Sequence, residues 1–214
     1  EMFWQLCLIN FLVVLSGVSD GQVMLFGECT KVEPMMYFEV EKFTGQWFVI
    51  ERFPNWYEQN GSCAYQRVQY CGRRVEIEHA YVKDGIQYIL HMNSSYTPGA
   101  EAVFRIEENN IDMVGMPMTV VTTDYTNYAV VHGCKYDEGL RLKYVSAWIL
   151  SRAPTLPEDT LTLARDRLTS IPYAHAAFLK PVDQSEEKCK SYWTAHVTAV
   201  NFLQVFSHLC IILL

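Results

Sequence analysis

The chain has 214 residues, half of them hydrophobic and 14% aromatic, with a formal net charge of −7 and a pI near 5.4. That much apolar material supports one sizeable core and excludes a disordered chain. The acidic balance, with no basic run beyond Arg73-Arg74, excludes the clustered Lys/Arg face that a nucleic-acid partner requires.

Taken in order, the chain opens on an apolar run over residues 2–19 that ends in small residues. It reads as a secretory signal over residues 1–21, cleaved near Ser19 or Gly21, although it lacks a basic start. The run is short of the ~20 residues a membrane span needs. A single domain is expected over residues 22–190. With Cys7 and Cys210 set aside in the two end segments, Cys29, Cys63, Cys71, Cys134 and Cys189 remain. In an oxidising compartment these supply two bridges and one odd thiol. Asn60-Gly61-Ser62 and Asn93-Ser94-Ser95 are glycan acceptor triplets, expected in exposed loops, with Asn60 and Asn93 as the carriers.

Two-residue alternation predicts strands at about 46–53, 63–71, 74–82, 86–92, 101–107, 117–123, 127–134 and 140–151. Turn signals such as Asn60-Gly61, Cys71-Gly72, Asp84-Gly85 and Asn109-Asn110 separate them. Regular spacing of this kind indicates an all-β sandwich or barrel. One helix follows: Thr155 and Glu158 form a Thr-x-x-Glu capping box, Pro157 lies in the first turn, and Leu161, Ala164 and Leu168 recur at helical spacing. Pro172 closes it, and residues 173–190 are an extended tail. Residues 191–214 end the chain on an apolar stretch behind a polar spacer, the pattern of a glycolipid-anchor signal, although Ser191-Tyr192-Trp193 is bulky at the attachment point.

Three stretches carry a resemblance: Gly45-Gln46-Trp47 on the first strand, Thr123-Asp124-Tyr125 before the seventh, and Arg152 at the end of the eighth with a helix after it. In this order, with the cysteines, they are similar to the signature regions of the lipocalins, and most similar to the branch holding apolipoprotein D and the insect Lazarillo proteins. The resemblance covers roughly residues 22–189. It implies an eight-stranded antiparallel up-and-down barrel with one C-terminal helix outside, wide enough for one small ligand. It also implies bridges Cys29–Cys134 and Cys63–Cys189. Gly45, Trp47, Thr123, Asp124, Tyr125 and Arg152 become structural, with the Arg152 guanidinium stacked on the Trp47 indole at the closed end, a contact of roughly 0.5–2 kcal/mol.

The implied bridges set parity, because a cysteine tied to a segment outside the barrel points outward and its neighbours alternate. On the second strand Ala64, Gln66, Val68 and Tyr70 then point inward. On the seventh Ala129, Val131 and Gly133 do so, and on the eighth Tyr144, Ser146, Trp148 and Leu150. Hydrophobic alternation adds Val75, Ile77, His79 and Tyr81, then Ile86, Tyr88 and Leu90, then Phe104 and Ile106, and finally Met118 and Val120. A bulge would flip any of these assignments. The lumen so drawn is apolar with a few polar tips (Gln66, His79, Ser146), which suits a small lipophilic molecule. Trp56 and Tyr57 in the first loop are expected to be exposed, as a lid or a contact to a membrane or lipoprotein surface.

These features describe an extracellular carrier of a fatty acid, sterol, retinoid or bilin-like pigment, with no cofactor. The alternative is a tethered cell-surface recognition or stress-protective protein. An enzyme would need Cys71 as nucleophile, but Cys71 shares the outward sense of Cys63, and no Ser–His–Asp order is present. The six histidines have no metal-ligand spacing.

Overall fold

The computed structural model of the chain describes residues 21–198 apart from 59, 98, 100 and 107–114. The signal segment, the Asn109-Asn110 turn and most of the apolar C-terminal stretch lie outside the described residues. Eight antiparallel strands close into a barrel. They are β2 (Gly45–Arg52), β3 (Ser62–Cys71), β4 (Arg74–Lys83), β5 (Ile86–Ser95), β6 (Val103–Ile106), β7 (Pro117–Thr123), β8 (Tyr128–Asp137) and β9 (Leu142–Ser151). Each pairs with its neighbours in sequence, and β2 closes the ring on β9. The β4–β5 hairpin turns on Asp84 and Gly85, both at positive φ (52° and 73°), the two-residue turn whose twist matches the strands it joins.

Among the described residues β6 meets β5 at Ser94 and Ser95, and residues 107–114 after it lie outside them. A strand absent from the sequence reading covers the remainder of that β5 edge. β11 (Trp193–Thr198) runs parallel to it, from Trp193 opposite Ile86 to Thr198 opposite His91. The His196 ring stacks on His91 at 5.8 Å. The first residues of the expected apolar tail are therefore part of the barrel wall. A second unforeseen strand, β1 (Val23–Phe26), lies antiparallel on β9.

At one end the barrel is sealed. A single helical turn, α1 (Val40–Phe43), leads into β2 and buries Val40 and Phe43. Trp47 is wholly buried and donates its indole N–H to the Phe43 carbonyl at 2.8 Å. Arg152 lies over the Trp47 ring at 3.6 Å, as the resemblance implies. Its guanidinium also donates to the carbonyls of Lys42, Gln46 and Tyr125 at 2.9–3.0 Å. The Asp124 carboxylate accepts the backbone N–H groups of Thr126, Asn127 and Tyr128, so the β7–β8 turn is fixed against the same plug. Thr123 Oγ1 accepts from the Tyr125 N–H, and the Tyr125 hydroxyl accepts from the Glu39 N–H.

Outside the barrel, α2 (Glu158–Thr169) lays Leu161, Ala164 and Leu168 on the outer faces of the last strands, within a second core that includes Val130, Val145 and Ile149. The capping box does not form. Pro157 takes the N-cap with no side-chain bond, and Glu158 pairs with Arg165. A proline at the cap places Glu158 first in the helix, too early to reach back to a capping N–H. Arg165 also clamps Glu51, which faces outward from β2. The stretch 173–190 is less extended than expected: it holds a 3₁₀ turn (Ala176–Phe178) and a two-residue strand, β10 (Lys180–Pro181), on β2.

His132 points into this outer core, where its ring packs on Tyr173 at 5.6 Å and Nε2 has no partner. Burial holds its pKa down at about 4. The unfolded chain therefore takes up a proton before the folded one does, and stability falls as pH drops from about 6.5 to about 4. The loss across that window amounts to roughly 3 kcal/mol. Urea unfolding at pH 7.5 and pH 4.5 should show most of that loss in the native chain and little of it in His132→Phe. An equal pH slope in both would refute the assignment.

The bridges Cys29–Cys134 and Cys63–Cys189 are formed. Cys71 is also disulfide-bonded, so it is not the odd thiol that the count of five suggested, and no nucleophile is available there.

Candidate functional site

The interior is built by alternation. Ala64 and Val68 of β3, Val75, Ile77 and Tyr81 of β4, Leu90 of β5, Phe104 and Ile106 of β6, Met118 and Val120 of β7, Ala129 and Val131 of β8, and Trp148 and Leu150 of β9 share one buried cluster. Tyr70 and Tyr88 pack against it half-buried, and Tyr88 stacks on Tyr81 at 5.2 Å. Gln66, His79 and Ser146 are buried among these side chains at 1–2% exposure. Tyr144 is half-buried and belongs to neither core cluster, beside β1 near the mouth. At Gly133 the interior is filled by Met116, which lies 2.7 Å from where a Cβ would sit.

A bulge does occur, on β2 between Val49 and Glu51. It puts Ile50 and Glu51 both on the outer side, so Arg52 turns inward, opposite Trp148. This one-residue slip brings a guanidinium into the barrel mouth at 3% exposure. The loop from Phe53 to Gly61 then folds in over it. Asn55 Oδ1 accepts the Glu58 N–H at 2.9 Å, the Gly61 N–H bonds the Glu58 carbonyl at 2.8 Å, and Asn60 takes a positive φ of 57°. A side chain at Gly61 would strike the Tyr81 ring at 2.2 Å, so the loop closes down only with glycine there.

The loop delivers Glu58 into the interior, 2% exposed. Its carboxylate meets Arg52 Nε at 2.8 Å, His79 Nδ1 at 3.3 Å and the Trp148 indole N–H at 3.1 Å. Burial alone would raise the Glu58 carboxyl, but the charge of Arg52, followed by the hydrogen bond and charge of His79, holds it at about 2. Arg52 Nη2 donates to the Gly61 carbonyl at 3.0 Å. Tyr57 follows the loop inward and sits edge-on to His79 at 5.8 Å, and Trp56 packs on Tyr57. The two aromatics are therefore half-buried rather than exposed.

Sequence reasoning brought Gln66, His79, Ser146 and Trp148 to this interior and missed Arg52, Asn55 and Glu58. The available signal was Asn55-x-x-Glu58 followed by Asn60-Gly61, a self-capping turn carrying a carboxylate. Of the two glycan acceptors, Asn60 is exposed in the mouth loop, whereas Asn93 lies within β5 opposite Glu76 and not in a loop.

A closed up-and-down barrel with one sealed end and a looped mouth is the architecture that holds one small ligand. The chain belongs to the lipocalin / cytosolic fatty-acid binding protein family, whose pattern matches residues 44–176. It is 32% identical to apolipoprotein D of Bos taurus over 168 residues, covering 77% of this chain and 87% of that protein. It is 26% identical to the bilin-binding protein of Pieris brassicae over 188 residues, covering 85% and 98%. Insecticyanin from the tobacco hornworm Manduca sexta has the same fold, with a TM-score of 0.69 at 24% identity over 82% of this chain and 96% of that one.

Proposed function

We propose that this protein is an extracellular carrier that binds one small, predominantly apolar molecule inside the barrel. The observation that carries the reading is the interior itself: aliphatic and aromatic side chains from every strand, interrupted by a single compact polar group around Glu58. Such a wall gains free energy by removing apolar ligand surface from water, about 25 cal/mol per Å², and uses its few polar atoms for selection. The name of the bilin-binding protein points the same way, as does membership of a family described by fatty-acid binding. The bridges Cys29–Cys134 and Cys63–Cys189 support an oxidising, extracellular location.

The test is intrinsic fluorescence. Trp148 is buried in the interior, against Glu58. Titration with a panel of fatty acids, fatty alcohols, sterols, retinoids and bilins should give a saturable change at one equivalent for at least one class. In Trp148→Phe most of that change should vanish. A flat response to the whole panel, with no molecule co-purifying from the secreted protein, would overturn the carrier reading.

A further inference from the structure

Of the four side chains that meet at the buried carboxylate, Glu58 alone is not supplied by the barrel wall. Arg52 comes from β2, His79 from β4 and Trp148 from β9, whereas Glu58 hangs from the mouth loop. Its carboxylate lies 2.8–3.3 Å from nitrogens of all three. Without Glu58, the wall would present a positively charged, nitrogen-lined receptor for a carboxylate inside an apolar barrel. That holds whatever proton count His79 carries, because the guanidinium charge is permanent. Burial opposes a negative charge there, and Arg52 followed by His79 overcomes it, so the receptor keeps its carboxylate ionised.

Glu58 fills this receptor imperfectly. Arg52 Nε lies 2.8 Å from Oε2, yet the two are not aligned as a hydrogen bond, and Oε2 is left without one. Arg52 Nη1 and Gln66 Nε2 are also buried without partners, in residues 3% and 1% exposed. Gln66 stands directly opposite His79 across the β3–β4 pair and faces the same interior. Guanidinium groups hold carboxylates most strongly through two parallel N–H bonds, and the loop-borne carboxylate does not reach that geometry. A carboxylate on a free chain has no such tether. It can engage the guanidinium as a fork while Trp148 still donates to it.

The turn that carries Glu58 is braced internally. The Glu58 N–H bonds Asn55 Oδ1 at 2.9 Å, and the Glu58 carbonyl accepts the Gly61 N–H of the same loop at 2.8 Å. Neither bond ties it to the wall. Tyr57 travels with it, since its ring enters the interior beside His79 at 5.8 Å. Outward movement of this one turn removes an anion and an aromatic ring together, which frees the space an alkyl chain needs.

We infer that Glu58 stands in for the acid group of the cargo: a lipophilic carboxylate displaces it from Arg52, His79 and Trp148 and sends the Asn55–Glu58 turn out of the mouth. This rests on the carrier reading above and names its ligand class. A tethered competitor lowers the apparent affinity of whatever must displace it, so removing the competitor reveals the ligand. Displacement of the neutral probe N-phenyl-1-naphthylamine from the delipidated full chain at pH 7.4 compares dodecanoate with methyl dodecanoate, which lacks the charge. In Glu58→Gln the acid should bind at least about tenfold tighter than in the native chain, the worth of one hydrogen bond to a charged group. The ester should change by less than about threefold. In Glu58→Ala, saturating dodecanoate should restore most of the lost urea midpoint and the ester should not, because only the acid gives Arg52 a counter-charge. In the native chain, dodecanoate should speed chymotrypsin cleavage after Tyr57, and the ester should not. That comparison decides if neither variant folds. Acid and ester gaining equally on loss of Glu58, or Tyr57 staying protected under saturating dodecanoate, overturns the inference and leaves a carrier in which Glu58 is a fixed part of the wall. Failure of the probe, the acid and the ester to bind any of the chains removes the carrier reading, and this inference with it.

Discussion

Replacing Glu58 with alanine should destabilise the protein by about 3–5 kcal/mol, because it strands Arg52 as an unpaired charge inside the barrel. Arg52 is 3% exposed and its Nε–Oε2 contact of 2.8 Å is its ion pair. The same substitution removes the acceptor for the Trp148 N–H and for His79 Nδ1, so three groups lose a partner at once. The double variant Arg52→Met/Glu58→Leu should recover most of the loss, since removing both charges together removes the desolvation cost as well. A urea double-mutant cycle at pH 7 measures this, and the coupling between the two sites should be about 2–4 kcal/mol. Additive losses would mean that the two side chains do not depend on each other. The pH dependence gives an independent check. The folded carboxyl sits at about 2, below its ordinary 4.5, so the stability it confers is complete above that ordinary value and is lost as pH falls toward 2. That window lies below most of the His132 window, so the two losses can be separated in the native chain.

The wall of the barrel was legible because alternation and burial report the same thing on a one-layer ring. On β4, for instance, Val75, Ile77, His79 and Tyr81 are buried while Glu76 and Glu78 face out, half-buried. The signature residues were legible for a different reason: Trp47, Asp124 and Arg152 do one job together, and a plug needs its three parts in a fixed chain order. The mouth was not legible. The Val49–Glu51 bulge changes which face Arg52 occupies, and nothing in Val49-Ile50-Glu51-Arg52 announces an extra residue. Glu58 sits in a loop, where no periodicity says which way a side chain points, and its burial depends on partners from β2, β4 and β9. β11 was missed because Trp193–Thr198 pairs in parallel with a strand far back in the chain, which no local pattern announces.

The disulfides should each be worth about 5 kcal/mol in the chain-entropy account, for closures of 105 and 126 residues, yet their loss should have different consequences. β2 and β3 pair only from Gly45 to Phe48 and then diverge. The chain that enters the gap is the tail: Gln184 Nε2 donates to both the Val49 and Ala64 carbonyls, the Cys63 N–H bonds Asp183, and the Val182 N–H bonds Ile50. Cys63–Cys189 ties that seal in place, directly beside interior residues of both strands. Cys29–Cys134 instead holds the N-terminal segment on the outer side of β8, where Lys143 Nζ donates to the Glu28 carbonyl. Cys63→Ala/Cys189→Ala should therefore lower the urea midpoint and, under native conditions, admit acrylamide to the buried tryptophans. Cys29→Ala/Cys134→Ala should lower the midpoint by a similar amount and leave native-state quenching as it is. Equal quenching in the two double variants would mean that the tail seal holds without its covalent tie, and that both bridges act through the unfolded chain alone.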